Sequence, residues 1–232
     1  MLFHLKINDI AVLKNSLHVL AIDDHVVVLE GYLSIFKNLE IAQPHRLKFT
    51  KATDCKTGYE VIVNQTEPFD VAVIDYSIPN FPDKKLFSGE DIAMLVRNRM
   101  PKCKIIMMTM HKEMDIMERI LDKVKPEGFI NKSDCSTDEL IDGFNKVMKN
   151  EVYHSKTVSD HIKRIEKGIV FDAIDLKIIQ LLSKGIKNKN LEKYIPLSSS
   201  AIEKRKYKLK RVLDIKGDDE DLINTARKLG YI

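Results

Sequence analysis

Long apolar runs, clustered cysteines and paired histidines are all missing from this sequence. No stretch of the 232 residues approaches the roughly 18 apolar residues that span a bilayer. The opening MLFHLKIND has neither the basic nor the apolar region of an export signal, so a cytoplasmic location and no membrane partner are expected. The three cysteines, Cys55, Cys103 and Cys135, are odd in number and scattered. That excludes paired zinc ligands and a disulfide scaffold, and reads as reduced structural thiols. The seven histidines form no HxxxH or HExxH pair, which leaves a dedicated transition-metal site without support. Internal repeats and low-complexity segments are not evident.

What is present is an ordinary globular composition: 44% hydrophobic, 31% charged, 38 basic against 34 acidic residues. Disorder and collagen-like structure are excluded, and the length suits one or two domains. The charge is uneven. Residues 1–150 carry 20 basic and 22 acidic residues, whereas residues 171–232 carry 14 and 9. An excess confined to one end points to two domains, the second meeting a polyanion.

Short β-branched and apolar runs at His18–Ile22, Leu47–Ala52, Val71–Ile74, Lys104–Met108 and Gly128–Ile130 alternate with stretches of helical spacing. The helical stretches are Val26–Lys37, Cys55–Val63, Glu90–Asn98, Met114–Val124 and Thr137–Met148. Five strands alternating with helices predict an α/β, doubly wound parallel sheet over residues 17–149. Residues 1–16 form an extension without a place in it. The pattern weakens over 150–170, expected to be a linker or connecting helix. Residues 171–232 then read as all-α, with helices near 172–184, 188–195, 198–212 and 218–229.

The candidate chemical residues of the first region all follow a predicted strand: Asp23 and Asp24, Asp75, Thr109 and Lys132. Open α/β sheets place ligand sites at that edge. Three converging carboxylates repel one another unless a hard divalent cation, best matched by Mg²⁺, lies between them. A lysine and a hydroxyl beside such a site suit a phosphoryl group, whose oxygens need cationic and hydrogen-bonding partners. Any one of these residues alone reads as ordinary strand termination.

Together the segments HVLAIDDH, FDVAVIDYSIP, KIIMMTMH and GFINK resemble the receiver domain of two-component response regulators, over about residues 17–149. The resemblance implies a flavodoxin-like fold and makes Asp75 the phosphoacceptor for a sensor histidine kinase. It implies Asp23, Asp24, Asp75 and the backbone carbonyl of Ser77 as the Mg²⁺ site, and Lys132 as partner of a phosphoryl oxygen. Thr109 would be the switch hydroxyl, with Phe129 either moving with it or simply filling core. Ser77 and His111 would flank the attacking water and tune the lifetime of the acyl phosphate. Such a protein is a phosphoacceptor with possible self-dephosphorylation, not a turnover enzyme. This chain departs from the pattern in two places. The loop NFPDKKLFS, residues 80–88, is about six residues longer than usual, a surface insertion or a kinase contact. Met110 replaces a usual small residue and is expected to narrow access to the site.

In the helical end, Gly185 suits a helix C-terminus and Pro196 stops a second helix before Ser198 opens a third. The two-residue connection forces a helix-turn-helix. Lys204, Tyr207, Lys208 and Arg211 fall at i, i+3, i+4 and i+7, a basic stripe that suits a solvated face or the DNA major groove. Glu203 could accept from a cytosine amino group, but Ser200 and Glu203 are also spaced as a capping box, the favoured reading, expected if the helix starts two residues later. The segment GIKNKNLEKYIPLSSSAIEKRKYKLKRVL resembles the LuxR-type helix-turn-helix of NarL/FixJ response regulators. The resemblance implies double-stranded DNA as partner, with Ser200 and the basic stripe as contacts, and a homodimer when phosphorylated or on DNA. The expected function is thus a DNA-binding response regulator that controls transcription. The alternative is a phosphorylation-independent DNA-binding protein whose receiver-like domain is an interaction module. A phosphohydrolase with Asp75 as nucleophile would lack a second catalytic acid and leave the basic helix unexplained.

Overall fold

The computed structural model describes residues 16–37, 47–166 and 171–232; the extension at 1–15 lies outside them. Among the described residues two compact units emerge, one within 16–110 and 119–155, the other within 111–118 and 156–232. Each is considered by itself.

The first unit alternates β1 (Leu17–Ile22), α1 (Val26–Lys37), β2 (Leu47–Ala52), α2 (Cys55–Asn64), β3 (Val71–Asp75), α3 (Gly89–Arg99) and β4 (Lys104–Thr109). After β4 come α4 (Met114–Arg119), whose last residue belongs to this unit, β5 (Gly128–Asn131), α5 (Thr137–Met148) and β6 (Tyr153–His154). All strands are parallel, in the order β2-β1-β3-β4-β5-β6. The order reverses between β1 and β3, so their carboxyl ends open a crevice. β3 is buried along its whole length, which is why it reads as a continuous apolar run instead of an alternating one. Val19 and Ala21 join Leu29, Phe36, Phe144 and Val147 of α1 and α5 in one core layer. Ile22 points the other way, and a Cβ at Gly58 of α2 would stand 3.1 Å from its Cδ1.

Five strands were expected and six are found among the described residues. β6 pairs in parallel with β5, Gly128 opposite Tyr153 and Phe129 opposite His154. The Ser155 hydroxyl extends the join, accepting from the Asn131 amide at 3.0 Å and donating to Asp134 at 2.8 Å. Tyr153 also hydrogen-bonds Glu139 of α5. The segment expected as a linker or connecting helix holds a strand and then a helix, α6 (Lys156–Glu166), where Val158 and His161 are buried. The helix expected over Met114–Val124 changes character midway: α4 passes into a π-helical turn, Ile120–Val124, closed by Lys125 at φ 49°.

The second unit packs α6, α7 (Ala173–Ser183), a 3₁₀ turn at Asn188–Lys193, α8 (Ser199–Val212) and α9 (Asp219–Lys228). Its core gathers Ile178, Ile179, Leu182, Leu191, Ile195, Ile202, Leu209 and Leu222. Among the described residues no helix is long and apolar enough to cross a membrane.

Candidate functional site

The carboxyl ends of β1, β3, β4 and β5 bring the predicted residues of the first unit together. Asp23 is fully buried and Asp75 nearly so, while Asp24 lies toward solvent. Lys132, just past β5, reaches both buried carboxylates: its Nζ is 2.7 Å from Asp23 Oδ2 and 3.1 Å from Asp75 Oδ2. Its amide donates to the Thr109 carbonyl at 2.7 Å, which fixes the lysine loop against the end of β4. Thr109 and Phe129 are completely buried, and Ser77 is exposed. Met110, expected to narrow the approach, is 61% exposed. His111 belongs to the second unit, where it pairs with Glu113 at 3.0 Å.

Burial pushes the Asp75 carboxyl above its ordinary range; the Lys132 ammonium opposes the rise, and Asp23 and Asp24 add to it. Burial alone would lower Lys132, but its contacts with Asp23 and Asp75 outweigh that and hold it firmly protonated. Two buried carboxylates and Asp24 beside one ammonium leave the cluster net negative. Asp23, Asp24 and His25 can place ligand atoms within 4.8 Å of one another. An oxygen-rich donor set of this charge fits a hard divalent cation.

Sequence reasoning overlooked a glycine that abuts Asp75 and a polar chain that starts at Tyr76. Gly89 opens α3 against β3: a Cβ there would fall 1.9 Å from the Asp75 carbonyl oxygen. The glycine after the long loop was visible, but its proximity to β3 was not. Tyr76 receives a hydrogen bond at 2.5 Å from Arg119, which also binds Glu90 at 2.6 Å. Glu90 is 5% exposed and takes Lys123 as a second cation at 3.3 Å. Nothing in local sequence spacing marks this link from α3 to Arg119 and Lys123.

In the second unit, α8 sorts its cations by face. Lys206 is 4% exposed and binds Asp219 at 2.6 Å, joined there by Lys210 at 2.8 Å. Arg205 bridges Asp172 and Asp175, each at 2.7 Å. Lys204, Tyr207, Lys208 and Arg211 are exposed, Tyr207 to 70%, and the three cations make no ion pair with the described residues. The helix starts at Ser199 with Ser198 as its cap, accepting from the Ala201 amide. The expected Ser200–Glu203 capping box is therefore corrected: Ser200 lies inside the first turn, and Glu203 pairs with Lys206 at 3.1 Å. An N-cap side chain reaches the amide three residues on, and Ser198 already holds that place.

Burial pushes the Asp219 carboxyl up, but Lys206, Lys210 and Asn188 outweigh it and bring the group down to about 2. A depressed carboxylate contributes stability that is complete above the unfolded value, near 4, and is lost as pH falls toward 2. Asp219→Asn is expected to cost roughly 2 kcal/mol at neutral pH and little at pH 2. Denaturant melts at both pH values check this; equal midpoints for variant and wild type at neutral pH would show that the pairs contribute nothing.

Two buried aspartates and a partly buried lysine meeting at the carboxyl edge of a 2-1-3-4-5-6 sheet are the arrangement of a receiver-type domain. Comparison with known proteins agrees: residues 19–145 match the response regulator receiver domain. The chain belongs to the two-component response regulators, of the NarL/FixJ type. Its relatives include the transcriptional regulatory protein MctR of Rhizobium johnstonii, 30% identical over 87% of this chain and 89% of that one. The oxygen regulatory protein NreC of Staphylococcus haemolyticus is 23% identical over 89% and 94%. Among solved structures, two RcsB dimers bound to two parallel DNAs share the fold at a TM-score of 0.63 and 20% identity, covering 93% of this chain and all of that one.

Proposed function

We propose that this chain is a phosphorylation-controlled transcription regulator: Asp75 accepts a phosphoryl group from a sensor kinase, and the helical second unit binds double-stranded DNA. The observation that carries the reading is Lys132 seated between buried Asp23 and Asp75 at the carboxyl edge of the sheet. In the transfer, a carboxylate oxygen of Asp75 forms the new O–P bond as the P–N bond of phosphohistidine breaks. The imidazole leaves with the electron pair and takes a proton from solvent. Lys132 pairs with a phosphoryl oxygen, and the Thr109 hydroxyl donates to another. Asp23, Asp24, Asp75 and the Ser77 carbonyl would hold Mg²⁺, which when bound supplies positive charge against the phosphoryl oxygens.

Phosphorylation biases conformations already accessible, with Thr109 and Phe129 as the moving pair. Ser77 and His111 set how long the acyl phosphate lasts, so the protein limits its own signal without turning over an external substrate. RcsB is described as dimers on DNA, which supports a homodimer here. Two copies of α8 would then read sites one DNA turn, roughly 34 Å, apart.

The exposed stripe on α8 tests the DNA half of the reading. Replacing Lys204 and Lys208 together by Ala is expected to weaken DNA binding about tenfold and to reduce the salt slope by about 2, one for each lost phosphate contact. Fluorescence anisotropy across a salt series reads both quantities. An unchanged slope would remove these lysines from the interface. The phosphoryl half is tested by intact mass after incubation with autophosphorylated histidine kinases and Mg²⁺, where one added phosphoryl mass is expected.

A further inference from the structure

The loop between Ile78 and Gly89 is a built structure. Phe81 and Leu86 exchange backbone hydrogen bonds at 2.7 and 3.2 Å across a tight 3₁₀ turn, Pro82–Lys84. Lys85 closes the turn in the left-handed region at φ 56°. Leu86 is buried, the Phe81 ring meets Tyr59 of α2 edge-on at 6.0 Å, and Lys84 lies 5.4 Å over the same Tyr59 ring. The Cys55 amide ties the loop entrance by donating to the Pro79 carbonyl at 2.9 Å. The hairpin is therefore held against α2, and yet it leaves Phe87 62% exposed and Lys84 and Lys85 in solvent.

A single phenyl ring in water is ordinary, but this one stands on an anchored loop beside two exposed lysines. Its position says what covers it. Phe87 precedes α3 by two residues, and the Gly89 amide donates to the carbonyl of Tyr76, next to Asp75. Of the other exposed apolar side chains of this unit, Val26 and Val27 after β1 and Met110 after β4 stand at the same sheet edge, whereas Val152 precedes β6 at the opposite one. Whatever delivers a phosphoryl group in line to Asp75 must approach this edge and meet these side chains. The cluster of Asp23, Asp24 and Asp75 repels a phosphorylated surface. Lys84 and Lys85, with Asp83 as the one acid between Asn80 and Ser88, offset that repulsion from outside the site.

We propose that the hairpin Phe81–Leu86, together with Phe87, is a docking element that selects the protein presenting the phosphohistidine. The partner would carry acidic side chains and an apolar notch beside that histidine. This rests on Asp75 as phosphoacceptor, and the test separates the two.

The experiment compares the full chain with a Lys84→Glu, Lys85→Glu, Phe87→Ser variant. One donor is the fastest of a panel of purified, autophosphorylated histidine kinases; the other is phosphoramidate, a small P–N donor that needs no docking. Transfer from the kinase is expected to fall about tenfold or more in kcat/KM, with labelling by phosphoramidate within about twofold of wild type. Unchanged transfer from the kinase would overturn the proposal. So would a parallel loss with both donors, which would place the hairpin in support of the site itself. Wild-type labelling by phosphoramidate but by no kinase would leave the acceptor chemistry standing and overturn the docking role. No labelling of the wild type by any donor would take down the phosphoacceptor reading and the docking role with it.

Discussion

Asp75→Asn is expected to abolish phosphoryl uptake from every donor while leaving the first unit folded. The amide is isosteric with the carboxyl but is no nucleophile at phosphorus, so intact mass should show no added phosphoryl group. The folding expectation follows from the direction of the titration shift. Burial raises Asp75 above its ordinary range. The ionised form is therefore disfavoured by the fold, and the stability that goes with the protonated carboxyl is present below the unfolded value and lost as pH rises through the folded one. The neutral amide removes that cost. Lys132 keeps Asp23 as a partner at 2.7 Å. The variant is thus expected to melt no lower than wild type at neutral pH, and Mg²⁺ should raise the melting temperature of the wild type more than that of the variant. Full labelling of the variant would move the acceptor to another residue. In the labelled wild type, decay of the added mass also reads the role given to Ser77 and His111: substituting both should change the decay rate, and an unchanged rate would release them.

Strand runs such as VAVID and KIIMMT were legible because β3 and β4 are covered on both faces, and such burial leaves a continuous apolar signature. The polar residues ending those runs were legible only as a set: one carboxylate after a strand reads as ordinary termination, whereas several at one edge of an open α/β sheet mark a ligand site. β6 has two residues, too few to show a period, and it owes its place to pairing with Gly128 and Phe129. The π turn at Ile120–Val124 keeps the apolar spacing of an α-helix, so periodicity does not separate the two. Lys206 read as one more cation of a basic helix. Its burial depends on Asp219, 13 residues further on and on another helix, and no local spacing encodes that pair. The exposed stripe was legible because α8 is amphipathic, with Ile202 and Leu209 fixing the buried side.

Gly89→Ala should have the largest effect of any single added methyl group. Its Cβ would lie 1.9 Å from the Asp75 carbonyl oxygen and 2.8 Å from the carbonyl carbon, inside any real contact distance. Neither atom is the movable end of a side chain. They are backbone in a fully buried strand, and the Gly89 amide is itself bonded to the Tyr76 carbonyl at 2.9 Å. Relief requires α3 to back away from β3, which breaks that hydrogen bond, or β3 to shift, which moves Asp75 away from Lys132. Overpacking of this kind costs about 3 kcal/mol, a fall of roughly 10 °C in melting temperature. Phosphoryl uptake should drop as well, because in-line attack tolerates little displacement of the nucleophile. Gly31→Ala is the matched control. Gly31 lies inside α1 with nothing within 4 Å of its Cβ position, so alanine there should stabilise by about 0.5–1 kcal/mol through helix propensity alone. If Gly89→Ala melted and labelled like wild type, α3 would not be held against β3 as described. The glycine would then matter for the loop, not for the nucleophile it abuts.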